Sequence, residues 1–187
     1  MRLLLAVLLL AGCASAQVEP PISPAPSTAL LDETSPASGG DRTEVEAAVA
    51  ATIAEPGVHV VHFWAPWCGN SKAELENGLY EVVEGHPDVT FAFVTIWNDA
   101  RDGADRLARY GIEAGANVSV YAQPDRGPSA DRDLRRTTFL GLPLTWTPTT
   151  WIYNRSGKLA YAFNYGEVTP EQLAAAIADA RNEWTHD

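Results

Sequence analysis

From residue 41 onward, hydrophobic and polar positions switch repeatedly between two periods. Val45, Val49 and Ile53 recur at helical spacing, and Asp41 followed three residues later by Glu44 has the form of a capping box at the start of that helix. Pro56-Gly57 ends it. Residues 58–64, VHVVHFW, and 89–97, VTFAFVTIW, are rich in β-branched and aromatic residues with little polar alternation, the pattern of strands buried on both faces. Between them Leu75, Leu79 and Val82 share one face, which predicts a single helix over 70–84. The pattern further predicts a helix over 104–110, a strand over 118–122 and a charged helix over 129–138. Two strands, 149–153 and 158–163, flank the turn residues Asn154-Arg155-Ser156-Gly157. Thr169-Pro170-Glu171-Gln172 combines an N-cap, a proline at the first helical position and a glutamine at the third, and Leu173, Ile177, Ala180 and Trp184 then stripe one face. The order α-β-α-β-α-β-α-β-β-α predicts an α/β domain over residues 41–187, a central mixed sheet flanked by helices and closed by an antiparallel hairpin.

The first forty residues follow neither period. Arg2 precedes an apolar run from Leu3 to Ala11, shorter than the ~20 residues a bilayer span requires but of the length of a secretory core segment. Leu10-Ala11-Gly12-Cys13 resembles a bacterial lipobox, which would make residues 1–12 a lipoprotein signal peptide and Cys13 the lipidated N-terminus. Ala14-Ser15-Ala16 fits the other possibility, cleavage that releases a soluble chain. We prefer the lipobox because Cys13 stands directly after small residues at the end of the apolar run. Residues 13–40 then comprise the lipidated cysteine and a Pro-, Ala- and Ser-rich tether that contains no Lys or Arg. This reading places the chain in the bacterial cell envelope on the periplasmic side. The outer membrane is the expected site, because Ala14 provides no recognisable inner-membrane retention signal.

Composition narrows the partners. The 187 residues are 46% hydrophobic, enough for one sizeable core. The formal net charge of -11 argues against binding a nucleic-acid backbone and against electrostatic adhesion to anionic lipid. Membrane association is therefore expected through the lipid anchor alone. The four histidines show no ligand spacing with a cysteine, and the single Met removes a Met-rich copper site, so no metal is expected.

The chemistry concentrates at WAPWCGNSK, residues 64–72. If Cys13 is lipidated or cut away, Cys68 is the only thiol left, and one leftover cysteine in an exported chain suggests a reactive sulfur or an intermolecular bond. Cys68 falls where a strand pattern gives way to a helix, and unpaired N–H groups at a helix start favour negative charge on a nearby sulfur. The alternatives are an inert buried cysteine, common for this residue type, and a disulfide with Cys13. Trp64 and Trp151 suit the core, whereas Trp67 suits an exposed contact.

Phe63-Trp64-Ala65-Pro66-Trp67-Cys68-Gly69 resembles the active-site segment of thioredoxin-like proteins. Thr147-Pro148-Thr149, just before the last strands and helix, resembles the cis-proline motif that faces the active cysteine in that family. The segment 118–138 resembles the extra strand-helix pair of the exported, membrane-tethered TlpA/ResA-type branch. The resemblance implies a thioredoxin-like fold with a βα insertion before the cis-proline motif and no cofactor. It also implies a nucleophile at Cys68 and substrate contacts at Trp67, Gly69, Asn70, Thr147 and Pro148. The implied partner is a cysteine-containing protein or a low-molecular-weight thiol.

Two residues depart from the pattern. Ser71 stands where the family usually has its second cysteine, and a hydroxyl cannot resolve a mixed disulfide, so dithiol reduction does not carry over. His62 stands six residues before Cys68, where many relatives carry a buried acid; it reads either as a base near Cys68 or as a hydrogen-bonded core histidine. Three functions remain. The favoured one is a monothiol exchange or isomerisation factor that forms mixed disulfides. The others are a redox-inactive binding module and a structural lipoprotein of an envelope complex.

Overall fold

The computed structural model describes residues 42–164 and 168–182. Five strands form one sheet in the order β3-β2-β1-β6-β7. The central strand β1 (Val58–Trp64) runs parallel to β2 (Val89–Thr95), which runs parallel to β3 (Val118–Ala122). On its other side β1 pairs antiparallel with β6 (Thr149–Tyr153), and β6 with β7 (Leu159–Phe163). The sheet is mixed and carries the predicted terminal hairpin. All seven residues of β1 are buried, as expected for a strand with neighbours on both edges and cover on both faces.

Alternation along the strands builds two cores. Val58, Val60 and Trp64 of β1, with Phe91 and Phe93 of β2 and Ile152 of β6, face one side. There they meet Leu75, Leu79, Val82, Leu107, Leu173 and Ile177, which come from α2 (Gly69–Glu76), α3 (Leu79–Gly85), α4 (Ala104–Ala108) and α5 (Pro170–Ala180). Val61, Phe63, Val94 and Trp151 face the other side, where α1 (Glu44–Ile53) covers them with Val49 and Ile53. A short hairpin of β4 (Thr138–Phe139) and β5 (Leu142–Pro143) adds Phe139, whose ring meets Phe63 edge-on with centroids 4.8 Å apart. Phe63 makes the same kind of contact with Trp151 at 4.6 Å.

Three local expectations are corrected. The helix predicted over 70–84 is two helices, because Gly78 takes φ 97, a left-handed value that breaks the hydrogen-bond ladder after Asn77. The capping box of α1 is Thr43 with Glu46: the Thr43 hydroxyl accepts from Glu46 N at 3.1 Å and the Glu46 carboxylate accepts from Thr43 N at 2.9 Å. The second Glu46 oxygen accepts from Leu140 N at 2.8 Å, which ties α1 to the β4–β5 turn. Asp41 lies outside the described residues. The charged helix predicted over 129–138 is a single 3₁₀ turn, Arg132–Leu134, followed by β4. Polar side chains hold that segment open instead: Asp125 accepts from the Ser129 hydroxyl at 2.6 Å and from Arg136 N at 2.9 Å. The expected insertion is therefore a strand followed by an irregular segment and a hairpin. Thr169 does cap α5 as predicted, with Gln172 completing the box. Trp184 lies outside the described residues.

Candidate functional site

β1 ends at Trp64, and the chain turns through Ala65, Pro66 and Trp67 before Cys68 caps α2 with extended backbone, φ -83 and ψ 126. Cys68 N donates to Ala65 O at 3.0 Å, and Cys68 O accepts the first helical bond from Lys72 N at 3.1 Å. The sulfur is not spent on capping the helix. It is half-buried, with exposed Trp67 and Gly69 on either side, and Asn70 is exposed as well. In its thiol form Cys68 Sγ donates to Thr147 O at 3.2 Å, across 79 residues of sequence. The Thr147–Pro148 peptide bond is cis. Two motifs far apart in the chain thus meet where β1 and β6 are neighbours.

Ser71 lies one turn into α2 and is fully buried. Its Oγ accepts from Ala65 N at 3.2 Å and is hydrogen-bonded to Thr147 Oγ1 at 3.2 Å, where either hydroxyl can donate. The hydroxyl is thus bonded to both the loop before Cys68 and the strand facing it.

His62 sits inside the sheet. Its Nδ1 bonds Thr150 Oγ1 at 2.9 Å, its Nε2 lies 3.6 Å from Glu74 Oε2, and its ring meets Phe93 edge-on. Burial lowers its pKa from 6.5 to about 4, which favours the uncharged ring at neutral pH. Neither ring nitrogen bonds Cys68. His62 is thus placed as a buried, hydrogen-bonded histidine within the sheet. Glu74 was not foreseen. It is buried and accepts from Val168 N at 2.7 Å, which links α2 to the segment before α5. A signal was present: Ser71, Glu74 and Leu75 fall at helical spacing on the buried face of α2.

The outer rim is built around Trp67, whose side chain is about half exposed. Its indole N–H donates to Trp97 O at 2.9 Å, and Trp97 Nε1 donates to Arg136 O at 2.9 Å. The Arg135 guanidinium lies 5.5 Å from the Trp67 ring and 5.4 Å from the Trp97 ring, within cation–π range of both. Trp97, Asp99 and Ala100 have φ of 52, 52 and 54, left-handed values that side chains other than glycine seldom adopt. Neither Arg135 nor Trp97 was legible as a site residue, since one lay in a predicted solvent helix and the other at the end of a predicted core strand. Trp64 and Trp151 are buried core residues. Trp146, two residues before Pro148, is about half exposed. Cys13 lies outside the described residues.

No protein-family model matches the chain, and no curated protein matches it. Solved structures do resemble it. A DsbF homologue from Corynebacterium diphtheriae is 22% identical, with 68% of this chain and 74% of that one covered and a TM-score of 0.51. A secreted Mycobacterium tuberculosis disulfide oxidoreductase, described as homologous to E. coli DsbE, is 20% identical over 68% and 85% of the two chains, with a TM-score of 0.49. A secreted thiol-disulfide isomerase from Corynebacterium glutamicum is 21% identical over 67% and 71%, with a TM-score of 0.48. The fold is thioredoxin-like: an α/β structure with a central mixed sheet flanked by helices.

Proposed function

We propose that this chain is a thiol-exchange factor working through Cys68 alone. The observation that carries the reading is the meeting of Cys68 Sγ with Thr147 beside the cis Pro148, at the start of α2. In the first step the Cys68 thiolate attacks a substrate disulfide, RS–SR. A Cys68–S–S–R bond forms, the S–S bond of the substrate breaks, and RS⁻ leaves to take up a proton. An external thiolate then attacks the mixed disulfide, takes R into a new disulfide and returns Cys68 as thiolate. The net change is exchange of one disulfide for another, with no gain or loss of electrons by the protein. Ser71 has no sulfur with which to close an internal disulfide, so the resolving thiol comes from outside.

Substrate recognition in this reading falls to Trp67, Gly69 and Asn70 around the sulfur and to the backbone of Thr147 beside Pro148. An extended peptide could pair there as an added strand. His62 supports the site from within the sheet and does not act as a base. The chain works on the periplasmic side of a bacterial envelope, held by lipid on Cys13 with residues 13–40 as tether, and residues 41–187 form the working domain. Support for the anchor comes from the sequence around Cys13.

The test is trapping. Purified protein mixed with a disulfide-bonded peptide should gain the mass of one peptide chain at Cys68, and added thiol should release it. An unreactive Cys68, together with undiminished partner capture by Cys68→Ala, would refute exchange and leave the binding-module reading, which the exposed Trp67 and Trp146 favour. Palmitate incorporation that disappears in Cys13→Ser tests the anchor separately.

A further inference from the structure

Against Trp67 lies a second feature, a pocket of about 230 Å³ whose lining also includes Trp97, Asp99, Arg101, Ser129 and Arg135. Trp67 is the residue before Cys68, so one wall of the pocket is a direct neighbour of the nucleophile. The charges around it do not cancel. Arg101 Nη2 lies 3.4 Å from Asp99 Oδ2, and the other Asp99 oxygen accepts from Ser129 N at 2.8 Å. The Ser129 backbone N–H holds the Asp99 carboxyl below its ordinary value, so that pair is a cation and an anion side by side. Asp125, behind Ser129, is occupied by the Ser129 hydroxyl and Arg136 N.

Arg135 is left as the surplus positive charge. Its Nε donates to Ser129 O at 2.7 Å, and its Cζ lies within cation–π range of both indoles. No carboxylate among the described residues pairs with its guanidinium. An arginine with a carbonyl and two tryptophans as neighbours and no acid on its guanidinium keeps the capacity to take an anion. The Nε bond fixes one edge of the fork, and the Nη groups remain to take a carboxylate. The volume is below that of a pocket for a whole drug-sized ligand and suits one acidic side chain or the end of a small molecule.

We propose that Arg135, clasped by Trp67 and Trp97, anchors a subsite for a carboxylate carried close to the substrate's sulfur. The inference rests on Cys68 exchanging disulfides and names the substrate class: acidic thiols. The carboxylate is either that of a free peptide-like thiol or a Glu or Asp beside the cysteine of a protein substrate. Binding places the substrate disulfide next to Cys68 and adds no chemical step of its own.

The test compares an anionic disulfide, 5,5′-dithiobis(2-nitrobenzoate), with a neutral one, 4,4′-dithiodipyridine, as reagents for Cys68 in the intact chain. The ratio of their second-order rates should fall about tenfold in Arg135→Gln, as loss of one charge-assisted bond predicts, and should fall less in Arg135→Lys, which keeps the charge without the fork. Added salt should lower the wild-type ratio and leave that of Arg135→Gln nearly flat. A ratio that does not respond to Arg135 while both reagents label Cys68 overturns this inference alone. A sulfur inert to both reagents overturns the exchange reading, and the subsite is then judged by binding. In Cys68→Ser, oxidised glutathione should quench tryptophan fluorescence, and Arg135→Gln in that background should abolish the quench; no quench overturns the subsite. Oxidised glutathione and a peptide disulfide with Glu near its cysteine separate the two sources, according to which rate depends more on Arg135.

Discussion

Replacing His62 by glutamine should remove a pH dependence of stability that this ring imposes on the fold. In the folded chain the ring is fully buried and its pKa falls from 6.5 to about 4, with desolvation as the cause. The unfolded chain therefore binds a proton at this ring between pH 6.5 and 4 that the folded chain does not. Above pH 6.5 the ring is neutral in both states and exerts no effect. As pH falls from 6.5 towards 4, protonation favours the unfolded chain and stability drops. Below 4 both states bind the proton and the loss levels off. The full drop is on the order of 3 kcal/mol, and about 2 kcal/mol of it is already present at pH 5.

Urea unfolding at pH 7.5, 6 and 5 measures this directly. Glutamine keeps a polar contact for Thr150 and lowers stability by about 1–2 kcal/mol at pH 7.5, where the ring is not titrating. The diagnostic quantity is the slope: wild type should lose about 2 kcal/mol more than His62→Gln between pH 7.5 and 5. Subtraction removes contributions from carboxylates remote from residue 62. A difference below about 0.5 kcal/mol would mean that the ring titrates near its ordinary value, and the buried neutral histidine would be wrong. A difference of opposite sign would mean that Glu74 holds the ring charged at 3.6 Å, a true ion pair.

Ser71→Cys should create a dithiol that closes on oxidation, visible as loss of both thiols in a titration and as a gain in reduction of insulin disulfides; retention of both free thiols after oxidation would show that the loop geometry forbids the bond. Gly103→Ala should cost about 2–4 kcal/mol in thermal or urea unfolding. A Cβ there would lie 2.8 Å from Trp64 Cζ2 at φ 68, and Trp64 is buried with no room to retreat. Thr169→Ala should cost about 1 kcal/mol, because the hydroxyl caps Gln172 N at 3.2 Å, whereas Thr169→Ser should cost much less.

The strands were legible because β1, β2 and β6 are dense in β-branched and aromatic residues, and burial on both faces leaves no polar alternation to confuse the reading. Two shorter features escaped. β4 and β5 have two residues each, too few for a period to show. Residues 129–138 carry charges at spacings that fit a helix face, yet their polar groups are committed to partners far away, such as Ser129 N with Asp99. Such long-range bonds leave no trace in local pattern. The site divides the same way. Cys68 and Ser71 stand in one short motif, but their approach to Thr147 spans more than seventy residues and was expected only from the family resemblance. Glu74 and Arg135 depend on tertiary packing throughout.

The hydroxyl of Ser71 bears on how the site can work. It bonds Ala65 N on one side and Thr147 Oγ1 on the other, so it joins the loop that carries Cys68 to the strand that faces it. Ser71→Ala would leave a buried Ala65 N–H without its acceptor, at a cost of about 1–3 kcal/mol, and would loosen the approach of Thr147 to the sulfur. The serine is thus a structural member of the site. Ser71 is buried, whereas Trp67 and Gly69, on either side of Cys68 in the chain, are exposed. On the proposed exchange, a resolving thiol is expected to reach the sulfur from the side on which Trp67 is exposed. The same rim then screens both the first disulfide and the resolving thiol, so Arg135→Gln should slow release of an acidic mixed disulfide by acidic thiols more than by neutral ones. Equal slowing for both would place Arg135 outside the approach path.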